Sequence, residues 1–111
     1  MPRDFKVYLD AILQAISKVR EYSAGYSSVE LAGDTKTFDA VIRNLEVIGE
    51  AVKGVPEPIR LQHPEVDWKK FAGLRDILIH QYFGVNDQII WDIIQNKLPT
   101  LEEQVRTILK T

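Results

Sequence analysis

The 111 residues contain no cysteine, which excludes disulfides, thiolate metal sites and a cysteine nucleophile. Long apolar runs are also missing. Uncharged apolar stretches such as Ile77-Leu78-Ile79 fall far short of the roughly 20 residues a helix needs to cross hydrocarbon. There is no basic excess: 14 Lys+Arg stand against 16 Asp+Glu, for a net charge of −2. Proteins that coat nucleic acid rely on phosphate neutralisation, so charge alone argues against a nucleic-acid partner. Asp4, Lys6 and Asp10 interrupt the N-terminal apolar residues, unlike the core of a secretory signal. A cytoplasmic chain with no membrane partner is the expectation. Neither a repeat, nor a low-complexity tract, nor a linker is visible, so residues 1–111 are expected to form a single domain.

What is present is helical periodicity. Hydrophobic residues make up 45% of the chain, which excludes wholesale disorder. Phe5, Tyr8, Leu9, Ile12, Ile16 and Val19 recur at three- and four-residue steps, with Asp4 as N-cap and Gly25 as the stop. Ser27 to Leu31 can form a short helical turn. Asp34 can cap a second long helix buried through Phe38, Val41, Ile42, Leu45, Ile48 and Val52, and Gly54, Pro56 and Pro58 break it. Pro56 to Pro64 reads as a loop holding one helical turn. A third helix is expected from Asp67 to about Phe83, with Trp68, Phe71, Ala72, Leu78 and Ile79 inward and Gly84 as its end. Asn86 can cap a fourth helix built on Ile89, Ile90, Ile93 and Ile94. Pro99 should separate it from a fifth, opened by a Thr100–Glu103 capping box. The expected fold is all-α, an antiparallel bundle of four to five helices. Trp91 and Val47 lie off their helices' main stripes, which suits either a partner surface or ordinary exposed apolar residues.

Few residues can carry chemistry. A phosphate loop, a paired-histidine metal helix and a serine elbow are all lacking. His63 has carboxylates near it but no second histidine, so a loop histidine is expected there, with no metal and no cofactor. The stretch Trp68 to Tyr82 differs in placing Arg75, His80 and Tyr82 on the most apolar helix. Asp76 and His80 are one turn apart, so the carboxylate can orient the imidazole and favour its protonated form. Arg75 and Tyr82 share the stripe of Phe71 and Leu78, whereas Arg75 and His80 diverge by roughly 140° on an ideal helix. Two copies about a two-fold axis would bring both residues into one cleft. A salt-bridged arginine, a capping histidine and a half-buried tyrosine remain a structural alternative. Glu50 could pair with a buried Arg75 or with Lys53.

Arg75-x-x-x-x-His80-x-Tyr82 resembles the R-x4-H-x-Y signature of the HepT-like group of HEPN-domain ribonuclease toxins. Asn44 to Ala51, ending in Gly49-Glu50-Ala51, is similar to the family's second-helix segment. Trp68, Tyr82-Phe83-Gly84-Val85, Trp91 and Leu98-Pro99 extend the similarity over nearly the whole chain. The resemblance implies a HEPN-like homodimer with paired motifs at the two-fold cleft. It implies a toxin that cleaves RNA without metal and is balanced by a minimal nucleotidyltransferase antitoxin. Arg75 and His80 become the catalytic pair with Asp76 beside them, and Tyr82 becomes the acceptor of AMP from the antitoxin. Lys69, Lys70 and Arg60 are candidates to track the RNA backbone, or else a solvated face; DNA is not expected as a partner. A catalytically silent helical module that binds a nucleotidyltransferase is the alternative reading. Nucleotide binding between helices is a third.

Overall fold

A computed structural model describes residues 5–82 and 87–110, with the backbone alone described from 79 to 82. Among these residues the chain is helical and contains no strand. It runs through α1 (Phe5–Ser23), α2 (Ser28–Gly33), α3 (Thr35–Gly54), α4 (Glu57–Gln62), α5 (Trp68–Ala72), α6 (Leu74–Tyr82) and α7 (Asp87–Asp92). A π-helical turn (Ile93–Lys97) and α8 (Leu98–Leu109) complete it. The expected caps at Asp4 and Asn86 and the expected stop at Phe83 and Gly84 lie outside the described residues.

The two long helices α1 and α3 form the main packing pair. Leu9, Ile12, Ile16 and Val19 of α1 and Val41, Leu45, Ile48 and Val52 of α3 are removed from solvent. Phe38 and Ile42 are only half-buried, on the edge of the stripe. Between the two helices, Gly25 takes a positive φ of 80°, the left-handed conformation glycine adopts without strain. Ser27 then starts α2 with a full capping box: its Oγ accepts from the Glu30 amide at 3.1 Å, and its own amide donates to Glu30 Oε1 at 2.9 Å. Asp34 caps α3 as expected, accepting from the Thr37 amide at 3.2 Å and from the Tyr26 hydroxyl at 2.6 Å. The Pro56–Pro64 connection carries one short helix, α4.

Four expectations need correction. The helix expected from Asp67 onward is interrupted at Gly73, whose φ of −79° and ψ of 0° lie in the turn-like bridge region. Pro99 does not separate two helices. α7, the π turn and α8 follow one another without a gap, and the Leu98 amide reaches back five residues to the Ile93 carbonyl. A proline ring in a helix clashes with the carbonyl four residues earlier; the wider π turn ends at Lys97, with Leu98 between it and Pro99, and absorbs the conflict. For the same reason Thr100 caps nothing. Its amide lies inside a continuing helix, and its hydroxyl donates to the Asn96 carbonyl at 3.5 Å. Ile89 is also 38% exposed, leaving Ile90, Ile93 and Ile94 as the buried stripe.

The helical column α7–α8 returns along α1. Leu98, Leu101, Val105 and Ile108 are buried there, and Arg20 of α1 grips Glu102 of α8 with both guanidinium nitrogens. α5 and α6 pack on α3, and the closest approach is at Gly49. A Cβ at that position would sit 3.2 Å from the Phe71 carbonyl oxygen and 3.5 Å from the Arg75 amide. A glycine costs roughly 0.5–1 kcal/mol against alanine in a helix interior; here it lets two backbones meet.

Two outcomes are expected. Gly49→Ala gains helix propensity but presses a methyl against backbone, for a net loss of about 1 kcal/mol in urea denaturation. A stabilised variant would show that α6 is not anchored by this contact. The second concerns acid. Tyr26 and the Thr37 amide hold the Asp34 carboxyl below its usual range, and Arg20 does the same for Glu102. Both are depressed in the fold, so their stabilisation is present above the unfolded values near pH 4 and is lost as pH falls below them. Asp34→Asn should be less stable than the wild type at pH 7, with the gap closing below about pH 4. Thermal melts across that range would show a constant gap if the linkage were absent.

Candidate functional site

Arg75, Asp76, His80 and Tyr82 all belong to α6, and the way α6 begins sets where they point. Asp67 caps α5 by accepting from the Lys70 amide at 3.3 Å, and the Trp68 indole N–H donates to the His63 carbonyl at 2.9 Å. These bonds fix the start of α5, whose Trp68 and Phe71 are buried. After the kink at Gly73, Leu74 and Leu78 take over the inward positions.

That phase leaves Arg75 outside. Its side chain is 51% exposed rather than on the packed face, and Nη1 donates to Glu50 Oε1 at 3.1 Å. Phe71, Leu74 and Leu78 keep the three- and four-residue spacing of one inward stripe, and Arg75 sits at its edge. Glu50 resolves the choice between Arg75 and Lys53 by meeting both, since the same oxygen lies 3.9 Å from Lys53 Nζ. An exposed pair of this kind contributes at most about 1 kcal/mol, so an incoming anion can displace it. The guanidinium is thereby aimed but not sequestered. Asp76 is exposed beside it. The α6 backbone carries His80 one turn after Asp76 and Tyr82 at its last position; the side chains of His80 and Tyr82 lie outside the described atoms.

Arg75 stands in the wall of an open groove of about 530 Å³ between α1 and α3. Val7, Tyr8, Val47 and Arg43 line it as well. Sequence reasoning placed Tyr8 on the buried stripe and passed over Arg43. Tyr8 flanks the stripe and is 39% exposed. The signal that could have found this groove was Val47, off the α3 stripe, together with Val7, which is 67% exposed.

The three basic candidates separate. Arg60 of α4 and Lys69 of α5 share a surface hollow of about 420 Å³ with Leu61 and Trp68. Arg60 Nε is buried and, among the described residues, has no hydrogen-bond partner, an arrangement that costs stability. Lys70 lines a different hollow, beside Asn96 and Lys97. None of the three lines the Arg75 groove. His63 takes Glu65 as its neighbour, Nδ1 to Oε2 at 3.2 Å. Among the described residues no group of three His, Asp or Glu side chains is placed to hold a metal ion, and no helix is long and apolar enough to cross a membrane.

Comparison with known proteins agrees with the motif. A family model described as ribonuclease HepT-like matches residues 12–108. A Methanocaldococcus jannaschii protein named as a candidate RNase is 45% identical over 111 residues, covering 99% of this chain and 92% of the relative. A second candidate RNase, from Caldanaerobacter subterraneus subsp. tengcongensis, is 47% identical over 103 residues, covering 93% and 92%. A Thermococcus cleftensis protein named a probable ribonuclease HepT is 38% identical over 110 residues, covering 99% and 100%. No solved structure matches the chain. With α6 carrying the full signature and the match spanning nearly every helix, the chain belongs to the HepT-like ribonuclease family.

Proposed function

We propose that this protein is the toxin of a toxin–antitoxin pair, an endoribonuclease that cleaves RNA without metal at a cleft between two copies of the chain. The observation that carries this reading is the exposed Arg75 guanidinium, aimed by Glu50 at 3.1 Å on the helix that also carries Asp76 and His80. Membership of the family and the ribonuclease names of the relatives support it.

RNA cleavage by its own ribose requires a base for the 2′-hydroxyl, an acid for the leaving 5′-oxygen and positive charge at phosphorus. Histidine suits both proton transfers because its ordinary pKa of about 6.5 lies near working pH. One His80 takes the proton from the 2′-hydroxyl, whose oxygen attacks phosphorus. The His80 of a second copy gives a proton to the 5′-oxygen as the P–O5′ bond breaks. Arg75 supplies a bidentate fork to the non-bridging oxygens, exchanging its surface carboxylate for the phosphorane. Asp76, one turn before His80, orients the imidazole. Arg60 and Lys69, which share a hollow, form one candidate track for flanking phosphates; Lys70 offers a separate point of contact.

Tyr82 is the proposed point of control. A nucleotidyltransferase antitoxin would join its phenolic oxygen to the α-phosphorus of ATP, with pyrophosphate leaving. The resulting phosphodiester carries an anion on the helix of Arg75, where it competes with substrate for the guanidinium.

Purified protein should cut RNA in the presence of EDTA and leave 2′,3′-cyclic phosphate and 5′-hydroxyl ends. His80→Ala should lower the rate by at least 10²-fold while the mass in solution is unchanged. Ends carrying 5′-phosphate would reject the mechanism, and a variant that remained fully toxic would favour a non-catalytic interaction module. Incubation with the antitoxin and ATP should add AMP to Tyr82 in peptide mass spectra. An adduct elsewhere would reject that assignment.

A further inference from the structure

The groove beside Arg75 contains two residues that phosphodiester cleavage does not use, Tyr8 and Arg43. Tyr8 is 39% exposed although it is aromatic, and its ring rests against Gly54 at the end of α3. A Cβ at position 54 would overlap the ring, lying only 2.7 Å from its Cζ. The glycine thus makes the seat on which the ring lies. Arg43 is exposed and, among the described residues, forms no ion pair. It precedes Glu50 by seven residues, two helical turns or about 10.5 Å of backbone rise, so both lie on the same face of α3. The charged lining of the groove is balanced, Arg43 and Arg75 against Glu46 and Glu50, with Lys53 just outside it. Glu50 is already shared by Arg75 and Lys53.

An exposed aromatic ring in a groove that two guanidiniums also line, with apolar Val7 and Val47 beside it, matches the chemistry of single-stranded nucleic acid. Bases stack on aromatic faces while cations follow the backbone phosphates. About 530 Å³ is within the range of small-ligand pockets and suits one nucleotide. We infer that Tyr8 and Arg43 form a subsite for the unpaired nucleotide next to the scissile phosphate, with the base on the Tyr8 ring and its phosphate on Arg43. This rests on the ribonuclease reading for its substrate. It adds a source of selectivity on α1 and α3, away from the α6 motif.

The test uses a fluorescein-labelled RNA hexamer with 2′-O-methyl groups throughout, which binds but cannot be cut. Tyr8→Ala and Arg43→Ala should each raise its Kd about tenfold, and Tyr8→Phe should recover most of the loss. Gly54→Ala, which displaces the ring without removing it, should weaken binding as well. Among six hexamers each lacking one base, one should bind the wild type and Tyr8→Ala equally. Failure of the wild type to bind, or Kd values within twofold of it for both alanine variants, would overturn the subsite. A drop in sedimentation mass in Tyr8→Ala would also overturn it and give the face to a second copy of the chain. If the hexamer results hold but unmodified RNA is never cleaved, the subsite stands and the ribonuclease reading fails.

Discussion

The geometry of the site depends on one close approach, the backbone of α3 at Gly49 against the α5–α6 junction. At that point the Phe71 carbonyl and the Arg75 amide come as near as a Cβ would allow. Because the contact is made by backbone, it fixes the position of α6 more firmly than side-chain packing could, since side chains can change rotamer. Glu50 follows Gly49 directly and is therefore delivered to Arg75 by the same contact. Across the break at Gly73, Leu74 faces inward and Arg75 outward. Gly49 brings the helices together, and Glu50 beside it pairs with an arginine that is both oriented and open to solvent.

The proposed RNA cleavage would ask an acidic chain to meet an anionic substrate. Arg75 keeps a carboxylate partner until something better arrives, and the exposed pair is weak enough to exchange. The remaining cations are dispersed over separate hollows rather than joined in one stripe. A net charge of −2 is consistent with contact at a few focused points.

Much of the fold was legible in the sequence. The stripes of α1 and α3, the Asp34 cap, the helical turn after Ser27 and the break at Gly54 follow from periodicity and local backbone chemistry, which act within one or two turns. Misreadings came where tertiary context decides. The Thr100–Glu103 pattern satisfies the capping rule, yet no helix starts there, because a π turn upstream already uses the backbone. Arg75 lies one turn from buried Phe71 and Leu78, so a period count puts it on their stripe, although it sits at the exposed edge. The residues of the motif were legible by type and spacing; the Glu50 partnership remained ambiguous because Lys53 and Arg75 both lie within reach. Tyr8 was read as buried and Arg43 was passed over because a groove between two helices leaves no mark on either one alone.

The π turn at Ile93–Lys97 has an angular consequence. On an unbroken α-helix, Ile90 and Leu101 would align, since eleven residues make almost three whole turns. One extra residue in a single turn rotates everything beyond it by roughly a quarter of a revolution. α7 can therefore lean on α2 while α8, in the same column, faces α1. The turn works as a phase adjuster, letting one rod of helix close two differently oriented sides of the bundle without a loop. Removing a single residue there would leave the rod intact and point half of it the wrong way.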